Sequence, residues 1–131
     1  MATLGTSIAV LLCNTLCNAI DVGTVGALKF RGASATVIAT LNFTSDSFGS
    51  AVYNASDVGA RATMSATEIS DTSADYTLTV TDAIIEASGG TDIFGDLICT
   101  TTGGDITMTS KSISAGDTVT LTTLKIVMPL S

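Results

Sequence analysis

Three cysteines are the most reactive side chains in the sequence, and two of them lie four residues apart. Cys13 and Cys17 fall in the largely apolar stretch TSIAVLLCNTLCNAIDVG, and Cys99 lies far along the chain. A zinc site on the first two would need two more ligands, and without histidine only Cys99 and carboxylates remain. Cysteines four apart on a helix also rarely have disulfide geometry. We therefore predict free, buried thiols in a protein made in a reducing cytosol.

The absence of histidine also limits catalysis, because it removes the commonest general base and the usual partner of a nucleophilic serine or cysteine. Acid–base chemistry would then depend on paired carboxylates. A hydrolase that uses Asp92, Asp96 and Asp105 is one hypothesis of this kind. The pattern nevertheless favours a protein that is not an enzyme, with no catalytic residues, no cofactor and no metal.

Aspartates flank several turns, so a calcium ion held by loops is a second hypothesis. The aspartates in question are Asp71, Asp75, Asp92, Asp96, Asp105 and Asp117. The sites SGGTD (88–92) and GGD (103–105) superficially look like calcium-binding repeats, but such repeats need a fixed nine-residue period. We interpret both sites as hairpin turns.

The charge of the chain argues against nucleic acid and anionic membranes as partners. The net charge is −7, and nucleic-acid affinity comes mainly from Lys and Arg that neutralise phosphates. The basic residues are scattered along the sequence, at Lys29, Arg31, Arg61, Lys111 and Lys125. Charged residues are only 13% of the chain, and Thr and Ser take their place, which suits half-exposed pleated surfaces.

The N-terminal segment predicts a helix over residues 6–22. Apolar residues recur at spacings of three and four and predict one buried stripe, formed by Ile8, Leu12, Leu16, Ala19 and Ile20 with Leu11 beside it. Thr6 or Ser7 is the expected N-cap, and Gly23 the expected stop. A signal peptide is not expected, because MATLGTS has no basic residue and no A-x-A-like site follows Ile8–Leu12.

From residue 26 to residue 130 the pattern predicts an antiparallel β-sandwich or jelly-roll-like fold, in one domain of residues 1–131. Short alternating segments are separated by turn residues every eight to twelve positions. In ATVIATLNF, Ile38 falls on the face opposite Ala39 and Leu41. In the last segment the alternation slips at Thr122-Thr123, which indicates a bulge or a strand that passes to another environment, and Pro129 ends the strand.

Both ends of the sequence carry apolar residues that could contact a partner, namely Met1 to Leu4 and Leu130 beside Pro129. The predicted interface residues are Met1, Leu4, Leu11, Ile38, Ile126, Met128, Pro129 and Leu130.

A series of ordered segments resembles a family of small virion structural proteins of tailed bacteriophages. The segments are NTLCNAIDVG, GALKFRG, VIATLNFTSDSFGSA, DIFGDLICTTTGGDITMTS and ISAGDTVTLTTLKIVMP, and they extend over nearly the whole chain. The resemblance implies a capsid decoration, or cement, protein on the outer surface of the head. Such a protein is made in the host cytoplasm, forms homodimers or homotrimers, and bridges subunits of the major capsid protein lattice.

A tail or fibre module that binds a host glycan is the alternative within virion proteins. It would need exposed aromatic rings in a concave groove.

Overall fold

The chain is mainly β with a helix near its N-terminus, as the sequence predicts. The computed structural model describes residues 3–22, 24–44 and 46–130. Helix α1 spans Thr6–Ile20, and a 3₁₀ turn spans Ala33–Ala35. The strands in these residues are β1 (Ala27–Arg31), β2 (Val37–Asn42), β3 (Val52–Asn54), β4 (Gly59–Thr63), β5 (Ile69–Asp71), β6 (Leu78–Thr79), β7 (Asp82–Glu86), β8 (Asp92–Thr100), β9 (Ile106–Thr107), β10 (Ser112–Ile113), β11 (Val119–Leu121) and β12 (Lys125–Pro129).

The strands form two sheets and two separate strand pairs in a sandwich-like arrangement. The larger sheet has the order β2-β1-β7-β8-β9, and the smaller has the order β12-β4-β3. The strand pairs are β10-β6 and β11-β5. Pairing is antiparallel between all these strands except β8 and β9. Helix α1 packs on the smaller sheet, and both sheets contribute side chains to one core.

The buried face of α1 is not the one that the leucine pattern predicts. The helix residues that are buried are Ala9, Cys13, Cys17 and Ile20. The side chains of Ile8, Leu11 and Leu12 are 48%, 60% and 38% exposed. The predicted stripe is therefore wrong for most of its members.

The sheet beneath the helix explains this choice of face. Strand β4 presents Ala60 and Ala62, which are fully buried, so small side chains face one another across the contact. Small residues on both sides allow the helix to approach closely enough for the Cys13 thiol to donate to the carbonyl oxygen of Ile126, at 3.6 Å. Larger leucine side chains on this face would hold the two elements apart.

The two ends of the helix also differ from the prediction. Gly5 occupies the N-cap position and no side chain caps the helix there, so the prediction of Thr6 or Ser7 as the cap is wrong. The helix ends at Ile20, and the predicted stop, Gly23, lies outside the described residues.

Polar side chains of the helix attach it to the segment that precedes β3. The Asp21 carboxylate accepts hydrogen bonds from the Ser47 hydroxyl and from the Ser47 backbone N–H, the latter at 3.0 Å. The Asn14 side-chain oxygen accepts the backbone N–H of Ala51 at 2.8 Å. Ser47 is fully buried, so its hydroxyl depends on this carboxylate. We call these bonds the helix clamp.

Strand β2 is buried on both faces, which changes the role of Ile38. The chain segment after β5 runs over this side of the sheet, and the Asp75 backbone N–H donates to the Ile38 carbonyl oxygen at 2.8 Å. The side chains of Ile38 and Leu78 both adjoin Gly32. Ile38 therefore belongs to the core and is not available to a partner, contrary to its assignment to an interface.

The break in the apolar–polar alternation of the last segment, at Thr122-Thr123, is confirmed as a change of strand partner. Strand β11 pairs with β5, whereas β12 pairs with β4 of the smaller sheet. Thr122 and Thr123 lie between the two strands, and Pro129 is the last residue of β12, as predicted.

The two glycine-rich turns have different structures. The first joins the antiparallel strands β7 and β8, with the Ala87 N–H donating to the Thr91 carbonyl oxygen at 2.9 Å, so the hairpin prediction is confirmed. The second joins β8 to β9, which run parallel, so the hairpin prediction is wrong there. Asp105 explains the difference, because its carboxylate accepts the Ile98 N–H at 2.7 Å and its own N–H donates to the Ile98 carbonyl oxygen at 2.9 Å. These bonds fold the loop back onto β8.

Close approach of the helix end to β7 makes Gly26 essential to the packing. A Cβ atom at Gly26 would overlap the Glu86 carbonyl oxygen and would lie 2.7 Å from the Ile20 side chain. We expect Gly26→Ala to lower the free energy of unfolding by about 2 kcal/mol, measured by urea titration. Gly95→Ala is the matched control, because a Cβ there meets no atom within 4 Å. Equal effects of the two substitutions would contradict this account of the packing.

Candidate docking surface

The two ends of the described chain lie side by side. The Leu4 backbone N–H donates to the Leu130 carbonyl oxygen at 2.6 Å, and the Leu130 N–H donates to the Val58 carbonyl oxygen at 3.2 Å. Pro129 is exposed, while Leu4 and Leu130 are half-buried. The structure thus joins two segments that the sequence analysis proposed separately as contacts. We call Leu4, Val58, Pro129 and Leu130 the terminal surface.

Val58 is the unusual member of this surface. Its φ is +49°, in the left-handed region that β-branched residues rarely adopt, and its side chain is 58% exposed. Both backbone groups of Val58 are hydrogen-bonded: its N–H donates to the Ala55 carbonyl oxygen at 3.3 Å, and its carbonyl oxygen accepts the Leu130 N–H. Asn or Gly would fit this conformation with less strain, so an exposed valine here points to a role for the side chain in a contact.

The other predicted interface residues are dispersed. Ile126 is buried in the core beneath the helix, and Met128 is half-buried against the same core. Leu11 is exposed on the outer side of α1. Met1 lies outside the described residues. Of the predicted set, Leu4, Pro129 and Leu130 are brought together, and Leu11 lies on a second surface.

The sequence analysis named only Leu11 of this second surface as an interface residue and assigned Ile8 and Leu12 to the buried stripe. The second surface consists of Ile8, Leu11, Leu12 and Thr15, which follow one another along the outer side of α1 at helical spacing. We call it the helix surface. The signal that could have identified it was the competing stripe of small residues at positions 9, 13 and 17.

Most basic side chains are engaged by carboxylates of the same chain. Arg31 binds Asp82 through two hydrogen bonds, with its Nε 2.9 Å from Oδ1. The Lys29 ammonium lies 2.6 Å from Glu86. Arg31 also lies 3.5 Å from Asp96, and Asp57 pairs with both Arg61 and Lys125. Four of the five basic residues are therefore paired internally, and the excess charge that faces solvent is negative.

A cleft with a volume of about 720 Å³ lies between β9 and the segment that contains β11 and β12. Hydroxyl groups make up much of its wall, from Thr107, Thr109, Ser110, Thr118, Thr120, Thr122 and Thr123. Phe30, which also lines the cleft, is almost fully buried. Asp105 lines the cleft, but Asp92 and Asp96 do not, so the carboxylates of the hydrolase hypothesis are not assembled in it.

Residues 3–22, 24–44 and 46–130 contain no group of three or more His, Cys, Asp or Glu side chains that could hold a metal ion. No helix within these ranges combines the length and apolar character needed to cross a bilayer.

All three cysteines are free and buried, as predicted. Burial raises the pKa of the Cys17 thiol to about 12, and the neighbouring Cys13 and Asp21 act in the same direction. Burial likewise raises the pKa of Cys99 to about 11 and raises that of Cys13. These thiols are poor nucleophiles near neutral pH, so their role is packing.

Comparison of the chain with protein-family models, with curated proteins and with solved structures found no match.

The buried thiols predict slow chemical modification of the folded protein. At pH 8 we expect Ellman's reagent to leave the thiols almost unmodified over an hour, because they are both inaccessible and protonated, and to react with all three in urea. Absorbance at 412 nm measures the reaction. A Ser56→Cys variant, with a thiol at an exposed position, is the positive control. Rapid reaction of the native parent chain would contradict the burial.

The pair between Arg31 and Asp82 predicts sensitivity to acid. The Arg31 guanidinium holds the pKa of Asp82 below its usual value. A carboxylate with a lowered folded-state pKa stabilises the fold above its unfolded pKa of about 3.9, and this contribution is lost as pH falls through the folded value. We expect Asp82→Asn to cost up to about 1 kcal/mol at pH 7 and less at pH 3, measured by urea unfolding. An equal loss at both pH values would contradict the ion-pair explanation; Glu68→Gln is the exposed control.

Proposed function

We propose that this chain is a non-enzymatic decoration protein of a tailed-bacteriophage head. The terminal surface binds the outer face of the capsid lattice, and the bound copies stabilise the shell by bridging major capsid protein subunits. The observation that carries this proposal is the convergence of Leu4, Val58 and Leu130 into one partly apolar surface. A modest interface is sufficient for this role, because binding to the assembled state alone stabilises it and the contribution is repeated at every site.

The surface chemistry supports a protein partner. Lys29, Arg31, Arg61 and Lys125 are paired with carboxylates of the same chain, so these four residues form no basic patch that could bind phosphates. The excess negative charge would keep free copies in solution and away from a packaged genome. Around the terminal surface, backbone groups of Leu4 and Leu130 are already hydrogen-bonded. Covering the apolar side chains would therefore leave none of these bonded backbone groups without a partner.

The segments that carry the family resemblance also contact one another. The first motif supplies Asn14 and Asp21, and the third supplies their partners Ala51 and Ser47 in the helix clamp. In the last motif, the Asp117 carboxylate accepts the Ser114 N–H at 2.9 Å and forms the turn before β11. The motifs that carry the resemblance thus contain residues that hold the fold together. This supports the proposal that the chain also has the function that the resemblance implies.

A glycan-binding tail or fibre module is less well supported. The exposed tyrosines, Tyr53 and Tyr76, lie on β3 and in the segment before β6, whereas the aromatic ring at the cleft, Phe30, is buried. Stacking of a sugar needs an accessible ring in the groove.

Substitution of Val58 separates attachment from folding. We expect Val58→Asn to raise the free energy of unfolding by about 1 kcal/mol, because Asn tolerates a positive φ, and to weaken attachment, because an apolar contact is lost. Co-sedimentation with tailed-bacteriophage heads assembled from a major capsid protein measures attachment. Urea unfolding measures the stability.

The matched control is Ile98→Thr, which removes an equally exposed apolar side chain (59%) from the larger sheet. It should leave attachment unchanged. Unchanged attachment of Val58→Asn would contradict the role of the terminal surface. Recovery of the parent chain with purified tails alone, or its binding on a glycan array, would favour the alternative function.

A further inference from the structure

We propose that the cleft beside β9 binds an extended polypeptide segment of a partner, which pairs with the free edge of β9 as an additional strand. The segment has alternating apolar and hydroxyl side chains, and it carries a basic residue at its end. The cleft shares no residue with the terminal surface, so this inference does not depend on attachment to a capsid.

Strand β9 leaves one edge of the larger sheet open. The Met108 N–H, immediately after β9, donates to the Thr100 carbonyl oxygen of β8 at 2.8 Å. Successive residues of a strand direct their backbone groups to opposite sides, so the N–H and carbonyl of Thr107 point away from β8. No other strand that the structure describes pairs with this side of β9. Because Thr107 lines the cleft, a molecule in the cleft can reach these two backbone groups.

The opposite edge of the same sheet is covered by the chain itself. Beyond β2, the Asp75 backbone N–H donates to the Ile38 carbonyl oxygen at 2.8 Å. Open edges are normally protected by shortness, proline, lysine or a bulge. Strand β9 is short, but residues 104–109 contain neither proline nor lysine, and its pairing with β8 has no bulge. The larger sheet is thus closed at one edge and open to a further strand at the other.

The facing wall of the cleft also offers unpaired backbone. Strand β11 pairs only with β5 among the described strands. Between β11 and β12, the backbone groups of Thr122 and Thr123 make no hydrogen bond with a residue that the structure describes. An extended chain carries N–H and carbonyl groups at the spacing of a strand, so it matches such walls better than a compact small molecule does. The cleft volume of about 720 Å³ lies in the range of ordinary ligand sites.

The burial pattern along β9 predicts the side chains of the segment. Ile106 is buried and Met108 is half-buried, whereas Thr107 and Thr109 are exposed. Residues that lie opposite one another on paired strands share a face of the sheet. A segment paired with β9 therefore directs every second side chain toward the level of Ile106 and Met108, where apolar groups are favoured. Its other side chains face solvent beside the threonines, where hydroxyl groups are suited.

Charge favours a basic residue at the end of the segment. Asp105 lies just before β9, lines the cleft and is exposed. Its carboxylate accepts the Ile98 N–H at 2.7 Å, and it belongs to none of the ion pairs among the described residues. The other charged residue of the cleft, Lys125, is already 3.0 Å from Asp57. With a net charge of −7 on the whole chain, a Lys or Arg is attracted here and an acidic segment is repelled.

Amide hydrogen exchange of the full chain, followed by NMR, tests the proposal. In the free protein the Thr107 amide should exchange rapidly and the Met108 amide slowly. The acetylated and amidated peptide KTVTVTK should slow exchange at Thr107 at least about tenfold. We expect its Kd to lie between about 10 μM and about 1 mM, because a short strand makes few contacts.

Two further peptides test the chemistry of the segment. The peptide KTTVVTK has the same composition without the alternation, and ETVTVTE has acidic ends. Each should bind at least about fivefold more weakly than KTVTVTK, the first because its apolar groups fall on both faces and the second because of repulsion.

Substitution of Thr107 tests the pairing itself. Thr107→Pro removes the free N–H and no backbone bond to β8, and proline is accepted at edge positions of this kind. It should weaken binding of KTVTVTK at least about tenfold. Thr107→Val is the matched control, because both variants lose the hydroxyl bond to the Gly103 carbonyl oxygen and only valine keeps the N–H. It should change the Kd less than about twofold.

Any of four results would overturn the proposal: slow exchange of the Thr107 amide in the free protein, unchanged exchange with about 1 mM KTVTVTK, equal binding of KTTVVTK, or binding that Thr107→Pro does not weaken. Protection of Thr107 that grows with protein concentration, without peptide, would assign the cleft to a second copy and would also count against it. Val58→Asn should leave peptide binding intact, which separates failure here from failure of capsid attachment.

Discussion

The close contact between α1 and the smaller sheet determines which residues face outward. Small side chains on the helix meet Ala60 and Ala62, and the helix clamp fixes the rotation of the helix on the sheet. Once that face is inward, helical geometry places Ile8 and Leu11 on the opposite side. An exposed apolar helix surface is therefore a direct consequence of how the core is packed.

The acidic character of the chain acts together with this packing. Carboxylates neutralise four of the five basic residues within the fold, so the remaining negative charge governs approach from solvent. The helix surface and the terminal surface both lack ionisable side chains. A second acidic molecule would be repelled less at these uncharged surfaces than elsewhere on the protein.

Local patterns predicted the elements of the fold better than their packing. Alternation and turn residues identified β1, β2 and β4, and the slip at Thr122-Thr123 marked a true change of sheet. Hydrophobicity alone selected the wrong helix face, because it ranks leucine above alanine and takes no account of how closely two elements approach. The parallel return of β9 and the meeting of Leu4 with Leu130 depend on bonds between distant residues, which no short window reveals. The sequence analysis thus named Leu4, Pro129 and Leu130 of the terminal surface, but neither Val58 nor the way in which these residues meet.

The hydrogen bond between Leu4 and Leu130 means that the described chain starts and finishes at one point. Joining the two ends through a short flexible peptide would need little distortion of the fold. Such a circular molecule would have fewer unfolded conformations, so it should resist heating better than the linear chain. New ends could then be opened in an exposed loop, such as the turn between β7 and β8.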